Sequence, residues 1–284
     1  MLVKTYASSV HGIQATTITV EVNISDGIRF FIVGLADNTV KESQKRIESA
    51  IVANGYHWPR TRVVVNMAPA DIRKEGALFD LPLALGILAA SSQLKKEKLN
   101  NYVILGELSL DGTVQNIRGA LPIALQSKKE GFKGIIVPRG NAREAGVVEG
   151  LEVIGVKSLE EACAFMDGKR QIEAVSVNPR DAFMQNFEGY ALDFADVKGQ
   201  EAVKRTLTIA ATGRHNLIMV GPPGAGKTML AKRMSGIIPP MTISESLETT
   251  KIHSVAGKMG RETGLVTQRP FRSPHHTISN VALI

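Results

Sequence analysis

Hydrophobic and polar positions alternate over residues 14–24 (QATTITVEVNI), which are rich in Val, Ile and Thr, and this predicts a half-exposed strand. Residues 28–34 (IRFFIVG) predict a second strand. The period then changes. Val40, Ile47 and Ile51 recur at helical spacing behind Thr39 and Glu42, which fit a capping box, and Gly55 ends the helix. RVVVNM (62–67) predicts a short apolar strand. LFDLPLALGILAA (78–90) is apolar on every side and predicts a buried helix, with Pro82 in its first turn. Beyond it the pattern gives a strand at 102–109 and a turn at Asp111-Gly112. A helix around 120–130, a strand at 134–138 and a short helix near 141–145 follow. A strand at 151–156 and a helix from Ser158 close the series. Strands and helices interleave throughout, which indicates an α/β chain whose N-terminal half is of the α+β kind.

Residues 171–188 (QIEAVSVNPRDAFMQNFE) lack a period, contain Pro179 and read as a linker. After them GQEAVKRTLTIAATG (199–213) predicts a helix, HNLIMV (215–220) a short buried strand, and KTMLAKRMSG (227–236) another helix. The expected organisation is a domain at 1–170, a linker at 171–188 and a second domain at 189–284.

Composition limits the class. Of 284 residues, 44% are apolar and 21% charged, a globular balance that excludes wholesale disorder. The longest apolar stretch, Leu81 to Ala90, is too short for a bilayer, which takes ~20 residues. The N-terminal MLVKTYASSV has no basic region followed by an apolar block, so no secretory signal is expected. A lone cysteine, Cys163, excludes a disulfide framework and a cysteine zinc site, and reads as a buried helical thiol. These features lead to the expectation of a cytoplasmic protein with no membrane partner. The net charge of +7 changes the picture little. Basic residues come in runs no longer than pairs such as Lys95-Lys96 and Lys128-Lys129.

The strongest chemical signal is Gly221-Pro222-Pro223-Gly224-Ala225-Gly226-Lys227-Thr228, which satisfies G-x-x-x-x-G-K-[ST] between a predicted strand and a predicted helix. Glycines let the backbone turn its N–H groups onto phosphate oxygens, and the helix N-terminus adds its positive dipole end. Lys227 is placed to reach the β- and γ-phosphates of ATP and Thr228 to ligate Mg²⁺; Met229 follows in the first helical turn. Hydrolysis also needs a carboxylate at the end of a later strand. The acids after Thr228 are Glu245, Glu248 and Glu262, all in polar surroundings, so the chain reads as a nucleotide-binding domain cut in mid-course.

Twenty residues before the loop, Phe194-Ala-Asp-Val-Lys-Gly-Gln200 resembles the adenine-side box of AAA+ ATPases, which implies Val197 and Gly199 as nucleotide contacts. KIHSVAG (251–257) and RPFRSPHHTISNVALI (269–284) resemble the magnesium-chelatase-like branch of those proteins. GLADNTVKESQKRI (34–47), VNMAPADIRKEGALFDLPLALGILAA (65–90) and GELSLDGTVQNIRGALPIA (106–124) extend the likeness, so that nearly the whole chain is similar to the YifB/ComM family. That resemblance implies an ATP- and Mg²⁺-dependent hexameric ring that drives branch migration on branched or single-stranded DNA during recombination and natural transformation. Two other readings are open: a chelatase-type motor that remodels a protein complex, and a non-catalytic binding fragment that holds nucleotide at most.

The N-terminal half also resembles the proteolytic domain of Lon proteases, which implies a ribosomal-S5-domain-2-like fold. Lon proteases use a serine–lysine dyad. The resemblance places Leu78 at the serine position and Leu121 at or near the lysine, so a scaffold without protease chemistry is expected. His275-His276 invites a metal reading, but adjacent side chains rarely converge on one ion. Arg269 and Arg272 flank Phe271, a small basic–aromatic cluster that suits either a DNA backbone or a subunit interface. Trp58, before Pro59, reads as packing.

Overall fold

The computed structural model describes residues 1–185, 192–260 and 264–272. The chain divides into two compact units: Met1–Pro179 with Glu248–Leu265, and Arg180–Leu247 with residues 266–272.

The first unit is built on strands β1 (Leu2–His11), β2 (Gln14–Ser25), β3 (Phe30–Val33), β4 (Arg62–Ala68) and β5 (Tyr102–Ile104). A small hairpin, β6 (Glu107–Leu108) and β7 (Val114–Gln115), stands apart, and β8 (Gly134–Pro138) and β9 (Glu152–Val156) complete the set. Seven of these form one sheet in the order β3-β4-β2-β1-β5-β8-β9. It is mostly parallel, with β2 antiparallel to both of its neighbours. The helices are α1 (Asn38–Ala53), α2 (Asp80–Ala90), α3 (Ala120–Lys129), α4 (Ala142–Ala145) and α5 (Leu159–Met166).

The alternation in the strands fixes which face is core. Val3, Thr5 and Ala7 of β1, Ile18, Val20 and Val22 of β2, and Val63, Val65 and Met67 of β4 are all buried. α2 lies against this face. Every one of its residues is buried, and a Cβ on Gly86 would come within 2.8 Å of Val22 Cγ2. That close approach explains a glycine in mid-helix. α3 meets the opposite face, where Gly119 lies against Val10 and Phe132 stacks edge-on to Tyr6 at 5.1 Å. Cys163 is buried on α5, and burial pushes its thiol up to about 12, so it is a packing residue rather than a reactive one.

Several expectations are corrected. β1 is the central strand of the sheet yet has only a weak signature, because Thr5 and Ala7 occupy two of its core positions. The strand expected at 102–109 is broken into β5 and β6: the Leu105 N–H still donates to Ile136 of β8, but Gly106 turns to the start of α2, accepting from Leu81 and donating to Leu78. The segment expected as a linker is not featureless. Val175 and Val177 donate to the carbonyls of Val153 and Gly146, and α6 (Pro179–Gln185) follows.

The start of α1 is also corrected. The capping residue is Asp37 rather than Thr39: its carboxylate accepts the Val40 N–H at 2.8 Å and the Gly76 N–H at 3.3 Å. Asp37→Ala should therefore cost about 1–2 kcal/mol of stability, whereas Thr39→Ala should stay within about 0.5 kcal/mol. Urea unfolding followed by Trp58 fluorescence reads both, and equal losses would return the cap to Thr39.

The second unit holds α7 (Glu201–Gly213), α8 (Lys227–Arg233) and the start of α9 (Ile243–Val255). Its core is Val197, Leu207 and Leu230, with Phe194, Leu217, Met219 and Met234 packed around them. The buried strand expected at 215–220 is not formed. Leu217 and Met219 turn inward, while Ile218 and Val220 are 88% and 89% exposed. The alternation is that of a strand, but no described residue pairs with it, and an extended segment becomes a strand only when a neighbour takes its N–H and C=O groups.

Candidate functional site

The glycine-rich segment enters from the extended residues 215–220 and delivers the chain into α8. Gly224 and Gly226 have φ of 82° and 79°, in the left-handed region, where a Cβ is strained. Gly226 is the residue before the first helical turn. The Lys227 ammonium folds back over the loop and donates to the carbonyls of Gly221 at 2.7 Å and Pro222 at 2.8 Å. Its charge thus sits over the mouth of the turn. Among the described residues, the N–H groups of Gly224, Gly226, Lys227 and Thr228 have no acceptor, and the exposed Thr228 hydroxyl has no partner. Free backbone donors, a cation and a free hydroxyl are the groups that phosphate oxygens and a phosphate-bound Mg²⁺ need, so the residues present fit both. Met229 is 39% exposed at the same helix start.

A groove of about 430 Å³ opens beside the loop. Gln200, Val203 and Thr206 line one wall, and Leu217, Met219, Ala225 and Lys227 are on the other. Apolar walls with one cation at the end suit a flat ring carrying phosphates. Val197 and Gly199 do not line this groove. Val197 is 3% exposed and packs with Leu207 and Leu230, and Gly199 is exposed with φ of 69°. The box around them is instead tied to α8. Asp193 and Asp196 form a reciprocal capping box, and Arg233 donates to the Asp193 carbonyl at 2.9 Å and to Asp196 Oδ2 at 3.1 Å. No sequence signal marks Arg233 or Gln200, because their partners lie at separations set by the fold.

The remaining candidates are dispersed. Arg269 donates to the Pro239 carbonyl at 2.8 Å and to both oxygens of Glu245, while Phe271 is 49% exposed. His275 and His276 lie outside the described residues. Among the described residues no three His, Cys, Asp or Glu side chains converge as for a metal. Nor is any helix long and apolar enough to cross a membrane.

In the first unit, Leu121 is fully buried and its N–H donates to Glu144 Oε1 at 2.9 Å. Glu144 also accepts from Asn141 at 3.3 Å and from the Ser254 hydroxyl. Leu78 lines a hollow of about 190 Å³ with Ser9, His11, Glu75 and Arg118. Neither leucine can serve as nucleophile or base.

The chain is similar to known proteins over nearly its whole length. Residues 20–141 match the family described as subunit ChlI of Mg-chelatase, and residues 193–284 match that of magnesium chelatase, subunit ChlI. The uncharacterized protein YifB of Escherichia coli is 43% identical over 274 residues, covering 96% of this chain and 53% of YifB. The competence protein ComM of Haemophilus influenzae is 40% identical over 282 residues, covering 98% of this chain and 55% of ComM. Lon protease 2 of Bacillus subtilis is 29% identical over 112 residues, or 39% of this chain and 18% of the protease. The chain spans about half the length of the curated relatives it matches end to end.

Proposed function

The chain belongs to the magnesium-chelatase-like AAA+ family that includes YifB and ComM, and on that premise we propose that it binds ATP with Mg²⁺ at Gly221–Thr228. The observation that carries the reading is the loop itself: left-handed glycines, unpaired N–H groups and the Lys227 ammonium drawn over the turn. Lys227 takes the β- and γ-phosphates, and the N–H groups of Gly224, Gly226 and Thr228 take the remaining oxygens. Thr228 ligates Mg²⁺, which when bound neutralises phosphate charge. The base lies in the groove beside α7, with the 193–200 segment held against α8 by Arg233. Val197 then acts from beneath, through packing, and Gly199 through its left-handed turn.

The whole protein is proposed to be a cytoplasmic hexameric motor that moves on branched or single-stranded DNA, as its likeness to a competence protein suggests. The first unit is a Lon-like scaffold without protease chemistry. The chain of 284 residues should bind a fluorescent ATP analogue at one site per chain with little turnover, since the acids after Thr228 are Glu245, Glu248 and Glu262, none of which follows an apolar run in the sequence. Steady-state hydrolysis that disappears in Lys227→Ala would contradict that. For the motor, the test is salt-sensitive retention of a branched DNA by the whole protein. No retention at low salt, together with metal insertion into a porphyrin, would replace it with the chelatase reading.

A further inference from the structure

The large sheet ends at β3 on one side and β9 on the other. The β9 edge is covered, because Val175 donates its N–H to Val153. The β3 edge has no partner among the described residues, and its outward side chains are chemically distinctive. β3 pairs in parallel with β4 in the register Phe30↔Val63 and Phe31↔Val64. The Val63 N–H donates to the Arg29 carbonyl at 2.9 Å, the first bond of this ladder, and in the same register Arg29 faces Arg62 just before the strand begins. Arg29 and Phe31, two apart, share a face with Arg62 and Val64, opposite to the buried Val63 and Val65.

Phe31 is 39% exposed, and the Arg62 guanidinium lies 5.3 Å from its ring centroid. Arg60 precedes Arg62 by two residues. Arg29, Arg60 and Arg62 are all exposed, and none of their guanidiniums has a hydrogen bond or ion pair with a described residue. Glu21, an acid of β2 on the same face, is already held by Lys4 at 3.1 Å and Asn66 at 3.0 Å, and Asp26 is the one acid of the adjoining turn. The edge therefore carries a local surplus of cations around a ring.

We propose that this edge, Arg29, Phe31, Arg60 and Arg62, is a contact site for single-stranded nucleic acid. Guanidiniums pair with phosphodiester oxygens, and an exposed ring stacks on a base, which is available only when the base is unpaired. Adjacent strands about 4.8 Å apart set Arg29 and Arg62 across from one another at the start of this edge, and Arg60 adds a third exposed cation two residues before β4 begins. An acidic peptide would use the cations but has no need of the ring. The site deepens the nucleic-acid part of the proposed function and rests on it, but it is independent of the phosphate loop.

The test is fluorescence anisotropy of a labelled oligo-dT of about 20 nucleotides with the 284-residue chain at about 50 mM salt. Arg29→Ala, Arg60→Ala and Arg62→Ala combined should weaken binding at least 10-fold. They should also reduce the slope of log K against log salt by about 2, at ~0.7 per lost phosphate contact. Phe31→Leu, which keeps the strand apolar, should weaken binding about 5-fold with the slope unchanged. Both variants are at exposed positions, and Trp58 fluorescence checks that each folds. Three results would overturn the proposal. One is triple-variant binding within about 2-fold of the parent. Another is a silent Phe31→Leu with polyglutamate competing as well as oligo-dT. The third is a change in molecular mass by light scattering, without a change in oligo-dT affinity, which would make the edge a contact between copies. In the whole protein, branched-DNA retention that survives the triple variant refutes this site alone, whereas no retention by the parent refutes the DNA motor as well.

Discussion

Lys227→Ala should weaken binding of a Mg²⁺–ATP analogue at least 100-fold, about 2.7 kcal/mol, while leaving adenosine affinity within about 2-fold. Two effects combine. Among the described residues the ammonium is the one side-chain cation over the turn, and in the proposed complex it makes charge-assisted bonds to phosphate, each worth about 1.5–3 kcal/mol. It also ties the carbonyls of Gly221 and Pro222, so its loss loosens the loop that presents the N–H groups. Lys227→Arg should not restore binding, because a planar fork cannot replace a compact ammonium in a turn of this size. Thr228→Ala should remove the Mg²⁺ dependence of affinity and keep metal-free binding, which separates the roles of the two residues. Isothermal titration with ATP analogue and with adenosine reads all three variants. Equal weakening for adenosine would mean that Lys227 supports the fold rather than the phosphates.

Arg46→Met should destabilise the first unit by about 3–5 kcal/mol at pH 7.5, and by clearly less at pH 5. Asp80 is fully buried at the start of α2. Arg46 grips it with Nε to Oδ2 at 2.9 Å and Nη2 to Oδ1 at 3.1 Å, and the Leu108 N–H adds a third bond at 3.2 Å. Burial still pushes the Asp80 carboxyl up to about 6, against the opposing pull of Arg46 and Leu108. The folded state thus holds the Asp80 proton more tightly than the unfolded chain, where an aspartate titrates near 3.9. The stability this group contributes is fully present below about pH 4 and is lost as pH rises through about 6. Without Arg46 the ionised carboxylate is buried uncompensated, so the loss is largest where it must ionise and smaller where it can take up a proton. Asp80→Asn keeps the shape, removes the penalty and should flatten this pH dependence. Urea midpoints from Trp58, the single tryptophan, report the unit directly. An Arg46→Met loss equal at both pH values would show that the pair acts by packing alone.

Legibility from sequence differed from element to element for physical reasons. β2 and β4 were readable because each presents one buried and one wetter face, so the period survives in the residue types. α2 was readable because all its sides are buried and the whole segment is apolar. β1 was not, since Thr5 and Ser9 are buried in β1 and satisfied only by distant groups: Thr5 donates to the Pro82 carbonyl and Ser9 to that of Arg73. Lys74 is a sharper case. It is fully buried, with its ammonium on the Pro69 carbonyl, in a segment whose charges suggest a solvated loop.

By itself the sequence determined the glycine-rich loop and its lysine and the mixed α/β character. Each of these depends on residue type at short spacing, where backbone sterics and local charge act directly. Only the tertiary structure decided that Val197 packs with Leu207 and Leu230, that Arg233 fastens the 193–196 turn to α8, and that residues 215–220 are extended but unpaired among the described residues. Only it set Arg29 beside Arg62 and Phe31 at an open edge. These outcomes rest on which segments meet, and partners tens of residues apart leave no mark in the local pattern of either.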